Sequence, residues 1–283
     1  MSMPRIWLNG TLFPADEAHI APTDRGLLLA DGLFETLLAR DGRIIRLDRH
    51  IMRLLEGAAV MQIKPPFESR TLRAAARETL EANGLATNDR ASLRMTLTRG
   101  PAGRGVALPR DPSPTLMISA AAAPAPPAGL SVMVSNVSKL ATSHASPLKT
   151  LNYTDNVMAR MEADVAGADE ALMRSADGGI ACATIGNVFV VKDGSVTTPP
   201  DDGSIRAGIT RNDTLALAHN ADLKVSEAGI SIEALKAAEE IFLTNSLWGI
   251  CPVTALDGTE LPEGPITKKL AQALQEAWAS DVV

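Results

Sequence analysis

Eight lysines occur in the 283 residues, at positions 64, 139, 149, 192, 224, 236, 268 and 269. Lys192 precedes a turn, and Lys268 and Lys269 form a pair, settings that read as surface. Lys149 is different: Pro147-Leu148 precede it and Thr150-Leu151-Asn152-Tyr153 follow. Apolar surroundings disfavour an ammonium and lower its pKa, which frees an amine for attack on a carbonyl. A lysine that snorkels from a loop fits the same residues.

Two stretches could take an anion. Arg99-Gly-Pro-Ala-Gly-Arg-Gly105 places two arginines among glycines, although a solvated hairpin loop has the same composition. Gly208-Ile209-Thr210-Arg211-Asn212-Asp213 starts a helix, where backbone N–H groups and the Thr210 hydroxyl suit a phosphate. Ordinary capping by Thr210 explains these residues as well. No lysine follows the glycines in P-loop order, so a nucleoside-triphosphate site is excluded. Thr244-Asn245-Ser246 closes a buried strand with hydroxyl and amide side chains. An amine-bearing lysine beside a phosphate cradle is the set of parts that pyridoxal phosphate requires.

These residues need elements to hold them. Arg5–Leu8, Thr11–Phe13, Leu33–Ala39 and Arg43–Leu47 read as strands of a β-meander, joined at Asn9-Gly10 and Asp41-Gly42. Asp48 is placed to cap a helix whose buried stripe is Ile51, Leu54, Leu55, Ala58 and Met61. A second helix spans Glu68 to Asn83 and ends at Gly84. Strands follow at Ala91–Thr98 and Thr115–Ala120. Residues 120–129, Ala-Ala-Ala-Ala-Pro-Ala-Pro-Pro-Ala-Gly, form a linker of small residues and proline. It divides an N-terminal α/β domain, 1–119, from a C-terminal domain, 130–283. The second half reads as strands at Leu130–Val137, Ala171–Ser175, Gly179–Cys182, Asn187–Lys192 and Ile241–Thr244. Its helices begin near Asn152, at Gly208 and at Pro265. The fold class is therefore mixed α and β in two domains.

Composition removes several functions. The net charge is −6 and no basic block occurs, so a nucleic-acid surface is not expected. No apolar run reaches the length of a membrane span. Two cysteines, Cys182 and Cys251, give no disulfide framework, and the N-terminus has no signal-peptide pattern, so a cytoplasmic location is expected.

The order of the motifs carries further information. Asp24-Arg-Gly, Ala30-Asp-Gly-Leu-Phe-Glu-Thr-Leu38, Arg46-Leu-Asp-Arg-His-Ile-Met-Arg-Leu54 and the Arg99–Gly105 loop come first. Leu148-Lys-Thr-Leu-Asn-Tyr153, Ala181-Cys-Ala-Thr-Ile-Gly-Asn-Val-Phe189, Ala207-Gly-Ile-Thr-Arg-Asn-Asp213 and Phe242-Leu-Thr-Asn-Ser-Leu-Trp-Gly-Ile-Cys-Pro-Val253 follow. Over nearly its whole length the chain resembles the class IV aminotransferases, the fold-type IV pyridoxal-phosphate enzymes. These include branched-chain and D-amino acid aminotransferases and 4-amino-4-deoxychorismate lyase.

The resemblance implies a two-domain fold like that of D-amino acid aminotransferase, with pyridoxal 5'-phosphate as cofactor. Lys149 matches the lysine that forms the internal aldimine and moves the substrate α-proton. Arg53 matches the arginine on the cofactor phosphate, joined by Ile209, Thr210 and Ser246. Tyr153 falls near the cofactor's phenolic oxygen. Phe34, Thr36 and Leu247 match substrate-facing positions, and Arg104 the loop arginine that meets a substrate carboxylate. That loop often reaches the other subunit's site in the family, which implies a homodimer acting on a small amino acid and a 2-oxo acid. No metal is implied.

One position departs from the pattern. Cys182 stands five residues before Asn187, where the family usually carries a glutamate paired with the cofactor's ring nitrogen. A thiol is a poorer partner for a pyridinium, so a weakened electron sink is expected. Val106 also replaces the histidine or tyrosine common two residues after the loop arginine. Within the family an amino acid aminotransferase is favoured, with aminodeoxychorismate lyase as the alternative; a weakly catalytic cofactor-binding protein is a third reading.

Overall fold

The computed structural model describes residues 3–140, 142–203 and 205–280. The chain divides into two units, one of residues 3–125 with Leu148–Asn152, the other of Pro126–Pro147 with the described residues from Tyr153 onward. The division after Ala125 falls inside the 120–129 stretch. The short return of Leu148–Asn152 to the first unit has no counterpart in the domain boundaries read from sequence.

The first unit is built on a six-stranded antiparallel sheet. Its elements are β1 (Arg5–Leu8), β2 (Thr11–Pro14), α1 (Arg25–Leu29), β3 (Gly32–Arg40), β4 (Arg43–Ile44), α2 (Leu47–Val60), α3 (Ser69–Ala82), β5 (Ala91–Thr98) and β6 (Thr115–Ala122). The strand order is β2-β1-β6-β5-β3-β4. At Asn9-Gly10 both residues have positive φ, 48° and 101°, as a two-residue hairpin turn of type I′ requires. Leu33, Leu37 and Ala39 on one face of β3 pack with Ile51 and Leu54 of α2 and Leu72, Ala76 and Leu80 of α3. The period of two along β3 thus meets the period of 3.6 along α2, and that seam is the core.

Three local readings need correction. Ala120–Ala122 are strand, not linker, because Leu93, Ser92 and Ala91 pair with them. β4 is only two residues long, since Arg46 turns into left-handed backbone (φ 52°) to start α2. Arg46 rather than Asp48 is the N-cap residue; Asp48 sits in the first turn and pairs with Arg73. Before β3, α1 is a one-turn helix over Arg25–Leu29, with the Asp24 carboxylate accepting from Gly26 N.

The second unit carries a mixed sheet of β7 (Leu130–Lys139), β8 (Glu170–Ser175), β9 (Ile180–Ala183), β10 (Asn187–Lys192), β11 (Ser195–Thr198), β12 (Lys224–Glu227), β13 (Glu240–Asn245), β14 (Gly249–Leu256) and β15 (Thr259–Glu260). The order is β12-β11-β10-β13-β14-β7-β8-β9, with β15 on β14. Its helices are α4 (Thr154–Ala166), α5 (Ile209–Asn220), α6 (Ile232–Lys236) and α7 (Pro265–Ala279). The parallel pairs β7/β8 and β11/β12 each need a crossover, supplied by α4 and α5. Val188, Val190, Ile241, Leu243, Cys251 and Val253 fill the core of this unit. Among the described residues no helix is long and apolar enough to cross a membrane.

Candidate functional site

Lys149 takes its place from a strand-like return. Phe34 N donates to Lys149 O (2.9 Å), Leu151 N donates to Gly32 O (3.0 Å), and Thr150 bridges Leu33. Leu148 packs on the first core. Lys149 is half-buried, and its Nζ lies 4.3 Å from the centre of the Phe34 ring. The ring face is electron-rich and holds a cation there.

β3 sorts its side chains by alternation. Phe34 and Thr36 share one face, and Thr36 pairs with Arg94 of β5. The exposed Arg94 guanidinium stacks 3.8 Å above the Phe34 ring. Phe34 therefore lies beside two basic side chains, those of Arg94 and Lys149. Thr96, opposite Phe34, has a buried hydroxyl with no partner among the described residues.

Glu35 points to the other face, toward α2. Its carboxylate is 1% exposed and takes three donors. Arg53 Nε donates to Oε1 (2.7 Å) and Arg53 Nη2 to Oε2 (2.6 Å), while His50 Nδ1 lies 2.7 Å from Oε2. Since the acceptor is an anion, the His50 Nδ1 carries the proton. Burial opposes ionisation of Glu35, but hydrogen bonds and charges from His50 and Arg53 outweigh it and hold the carboxyl far below the usual range. Burial likewise keeps His50 below its ordinary value, against the pull of Glu35. The result is an arginine clamped through two of its nitrogens, which fixes the plane and direction of its guanidinium.

Arg104 lies in the exposed loop between β5 and β6, with Val106 82% and Leu108 56% exposed beside it. The loop is tied to α1 through Arg25.

The second unit holds the other expected residues. Ile209 and Thr210 are the first two residues of α5, both buried, behind an N-cap Gly208 that has no side-chain cap. Thr210 does not cap the helix, so the capping explanation of this motif is set aside. Asn187 fixes the approach: Gly208 N donates to its Oδ1 (3.1 Å) and its Nδ2 donates to Arg206 O (3.1 Å). Uncapped N–H groups at the positive end of a 12-residue helix suit an anion. Ser246 and Leu247 sit in the turn after β13, where Asn245 Oδ1 accepts from Leu247 N and Trp248 N. Asn245 is thereby committed to the turn. Tyr153 is the half-buried residue at the N-cap position of α4.

Cys182 lies on β9 beside Met173 of β8. Burial pushes its thiol up to about 11, with Glu170 adding to the rise and Lys139 and Arg206 pulling against it. It is a neutral thiol at pH 7. A polar chain runs alongside: Lys139 Nζ donates to Asn156 Oδ1 (2.8 Å), Asn156 Nδ2 to Thr184 O (2.5 Å), and Thr184 Oγ1 to Glu170 Oε1 (2.5 Å). Glu170 Oε2 is buried with no partner among the described residues. Burial raises this carboxyl above the usual carboxylate range, against the donors from Thr184 and Ala171. Among the described residues no group of three or more His, Cys, Asp or Glu could hold a metal ion.

Lys149, Arg53, Phe34, Thr36 and Arg104 thus belong to the first unit, and Tyr153, Cys182, Ile209, Thr210, Ser246 and Leu247 to the second. Sequence reading passed over Glu35, His50 and Arg94. The first two were legible as an acid within the Leu33–Ala39 strand and a histidine three residues before Arg53 on the same helix. Arg94 had no signal beyond the alternation of β5.

The Amino-transferase class IV family matches residues 32–256. The chain is 33% identical over 280 residues to a putative branched-chain-amino-acid aminotransferase of Methanocaldococcus jannaschii, covering 96% of each. Its fold is similar to that of a branched-chain amino acid aminotransferase from T.th. with pyridoxamine 5'-phosphate (TM-score 0.90, 26% identity, 98% of this chain and 94% of that one). It is also similar to 4-amino-4-deoxychorismate lyase from Pseudomonas aeruginosa (TM-score 0.82, 31% identity, 96% and 98%).

Proposed function

The chain belongs to the class IV aminotransferases, and from that premise we propose that it moves an amino group between an amino acid and a 2-oxo acid with pyridoxal 5'-phosphate held through Lys149. Enzymes of this family use that cofactor. The observation that carries the assignment to Lys149 is its placement: a half-buried amine over the Phe34 ring, on a segment that the Lys149 carbonyl and the Leu151 N–H bond to β3.

The donor set suits the cofactor. Arg53, pre-oriented by Glu35, supplies a fixed guanidinium for a phosphate. The uncapped amides of Ile209 and Thr210, with the Thr210 and Ser246 hydroxyls, supply further donors. Tyr153 offers an O–H for the phenolic oxygen, and Cys182 stands for the ring nitrogen. When bound, the cofactor supplies an aldehyde that condenses with amines and an aromatic ring that accepts electrons. Lys149 Nζ would hold the cofactor and, as a free amine, would carry the proton taken from the substrate α-carbon to the carbon that had borne the aldehyde. Phe34 and Thr36 line its face of β3. Arg94 and Arg104 are cations suited to carboxylates. The neutral thiol of Cys182 cannot hold a pyridinium proton as a carboxylate does, so the electron sink is weak and turnover slow. A homodimer in the cytoplasm completes this reading.

Borohydride reduction of the holoenzyme, followed by tryptic mapping, tests the lysine. Label on the peptide containing Lys149 supports the assignment, and label elsewhere or none removes it. A panel of L- and D-amino acids with a 2-oxo acid acceptor tests the activity. The second reading is aminodeoxychorismate lyase, favoured by the 31% identity to that lyase; pyruvate release from aminodeoxychorismate, without an acceptor, would select it.

A further inference from the structure

Arg104 sits in an exposed loop, and a cation that recognises a carboxylate needs a fixed position. The start of that loop is held by its backbone. Arg25 N donates to Gly100 O (3.0 Å), Ala102 N to Thr23 O (3.1 Å) and Arg99 N to Asp31 O (3.1 Å). The far side is held by one side chain. The Arg25 guanidinium donates from Nη1 to Gly105 O (3.0 Å) and Ala107 O (3.1 Å), and from Nη2 to Val106 O (3.3 Å). Three successive carbonyls immediately after Arg104 thus converge on one cation.

Arg25 is itself immobilised. It is 4% exposed, and its Nε donates to Asp31 Oδ2 (2.7 Å). Asp31 also takes Arg99 through Nε (2.7 Å) and Nη2 (3.0 Å). Arg99 in turn donates to Gln62 O (3.1 Å) and Met61 O (2.8 Å) at the end of α2. Burial would raise the Asp31 carboxyl, but the bonds from Arg99 and Arg25 hold it below its usual value. A single carboxylate therefore couples the helix that carries Arg53 to the loop that carries Arg104.

We infer that Arg25 is a positioning residue for substrate: through the carbonyls of Gly105, Val106 and Ala107 it fixes the loop in the conformation from which Arg104 meets the substrate carboxylate. This rests on the reading of Arg104 given above. Backbone carbonyls are the right target for such an anchor, because they leave the Arg104 side chain unengaged by the clamp. An arginine is required, since a lysine ammonium in the same place cannot span three acceptors of a turning chain while keeping Asp31.

The test uses the holoenzyme with Arg25→Lys and Arg25→Gln. Releasing the carbonyls of Gly105, Val106 and Ala107 frees the chain to enter a protease cleft, so the rate of trypsin cleavage after the exposed Arg104 reports the anchor independently of activity. Loosening should raise that rate by about tenfold or more and raise the amino acid KM by about tenfold, with kcat within about twofold of wild type. The double variants with Arg104→Gln should show no KM beyond that of Arg104→Gln alone, because Arg25 acts through Arg104. Wild-type cleavage after Arg104 in either folded variant overturns the anchor. A fall in kcat with unchanged KM, or additive effects in the double variants, overturns the positioning role. An unchanged KM in Arg104→Gln alone removes instead the assignment of Arg104 to the carboxylate, and the inference about substrate falls with it while the cleavage result still decides the anchor.

Discussion

Glu35→Gln is the most revealing single change, because one buried carboxylate supports both Arg53 and His50. The amide keeps the shape but presents an NH2 where one of three donors now finds an acceptor. Breaking a buried ion pair from one side costs about 3–5 kcal/mol. The Arg53 side chain is 20% exposed, so water recovers part of this, and a loss of about 2–4 kcal/mol is expected, roughly 5–15 °C in Tm. The pH dependence gives a sharper signature. Because the folded pKa of Glu35 is depressed, its contribution is full above the unfolded value of 4.5 and is lost as the pH falls below it. The variant should therefore show a shallower fall in stability below about pH 4.5. The assay pairs denaturation at several pH values with binding of pyridoxal 5'-phosphate and of pyridoxal. The variant should bind the phosphate form about tenfold more weakly and the phosphate-free form as wild type does. Equal weakening of both, or a Tm within about 1 °C of wild type, would refute the reasoning that Glu35 aims Arg53 at a phosphate.

Other outcomes follow from the same structure. Cys182→Glu places a carboxylate near Lys139 and Arg206, both of which act on this position; turnover should rise by about tenfold with a changed visible spectrum, and an unchanged spectrum and rate would sink the ring-nitrogen assignment. Glu170→Gln should match wild type best near pH 4, below the unfolded value of 4.5, and gain relative stability as the pH is raised to 8. The folded pKa is raised, so wild-type stability is lost as the pH rises above the unfolded value while the amide is indifferent; denaturation at the two pH values measures the difference, and a constant gap would contradict it. Gly100→Ala should cost about 2 kcal/mol or more, since φ is +85° and an added Cβ would collide with the Ser113 carbonyl. Chemical denaturation checks this, and a neutral effect would mean that the loop base can shift.

Much of the scaffold was legible locally. The strand read at Ala91–Thr98 matches β5 at both ends, and the helix read from Pro265 matches the start of α7, because side-chain periodicity is imposed by the element itself. Motif order identified the family, and it drew attention to Lys149 when its own neighbours did not decide between an active amine and a snorkelling one.

What periodicity cannot express is pairing between distant segments. The return of Leu148–Asn152 onto β3 depends on hydrogen bonds across more than a hundred residues of chain, and it alone puts Lys149 over Phe34. Glu35 reads in sequence as one polar residue in an apolar strand; only packing of α2 on β3 makes it the partner of Arg53 and His50. In sequence Arg25 is only the middle residue of the Asp24-Arg-Gly motif, yet the fold makes it the holder of the Arg104 loop. Sequence therefore determined which groups the protein has and the family to which they belong. Tertiary structure decided which charges face one another, because Coulomb and hydrogen-bond energies depend on distance and burial rather than on position along the chain.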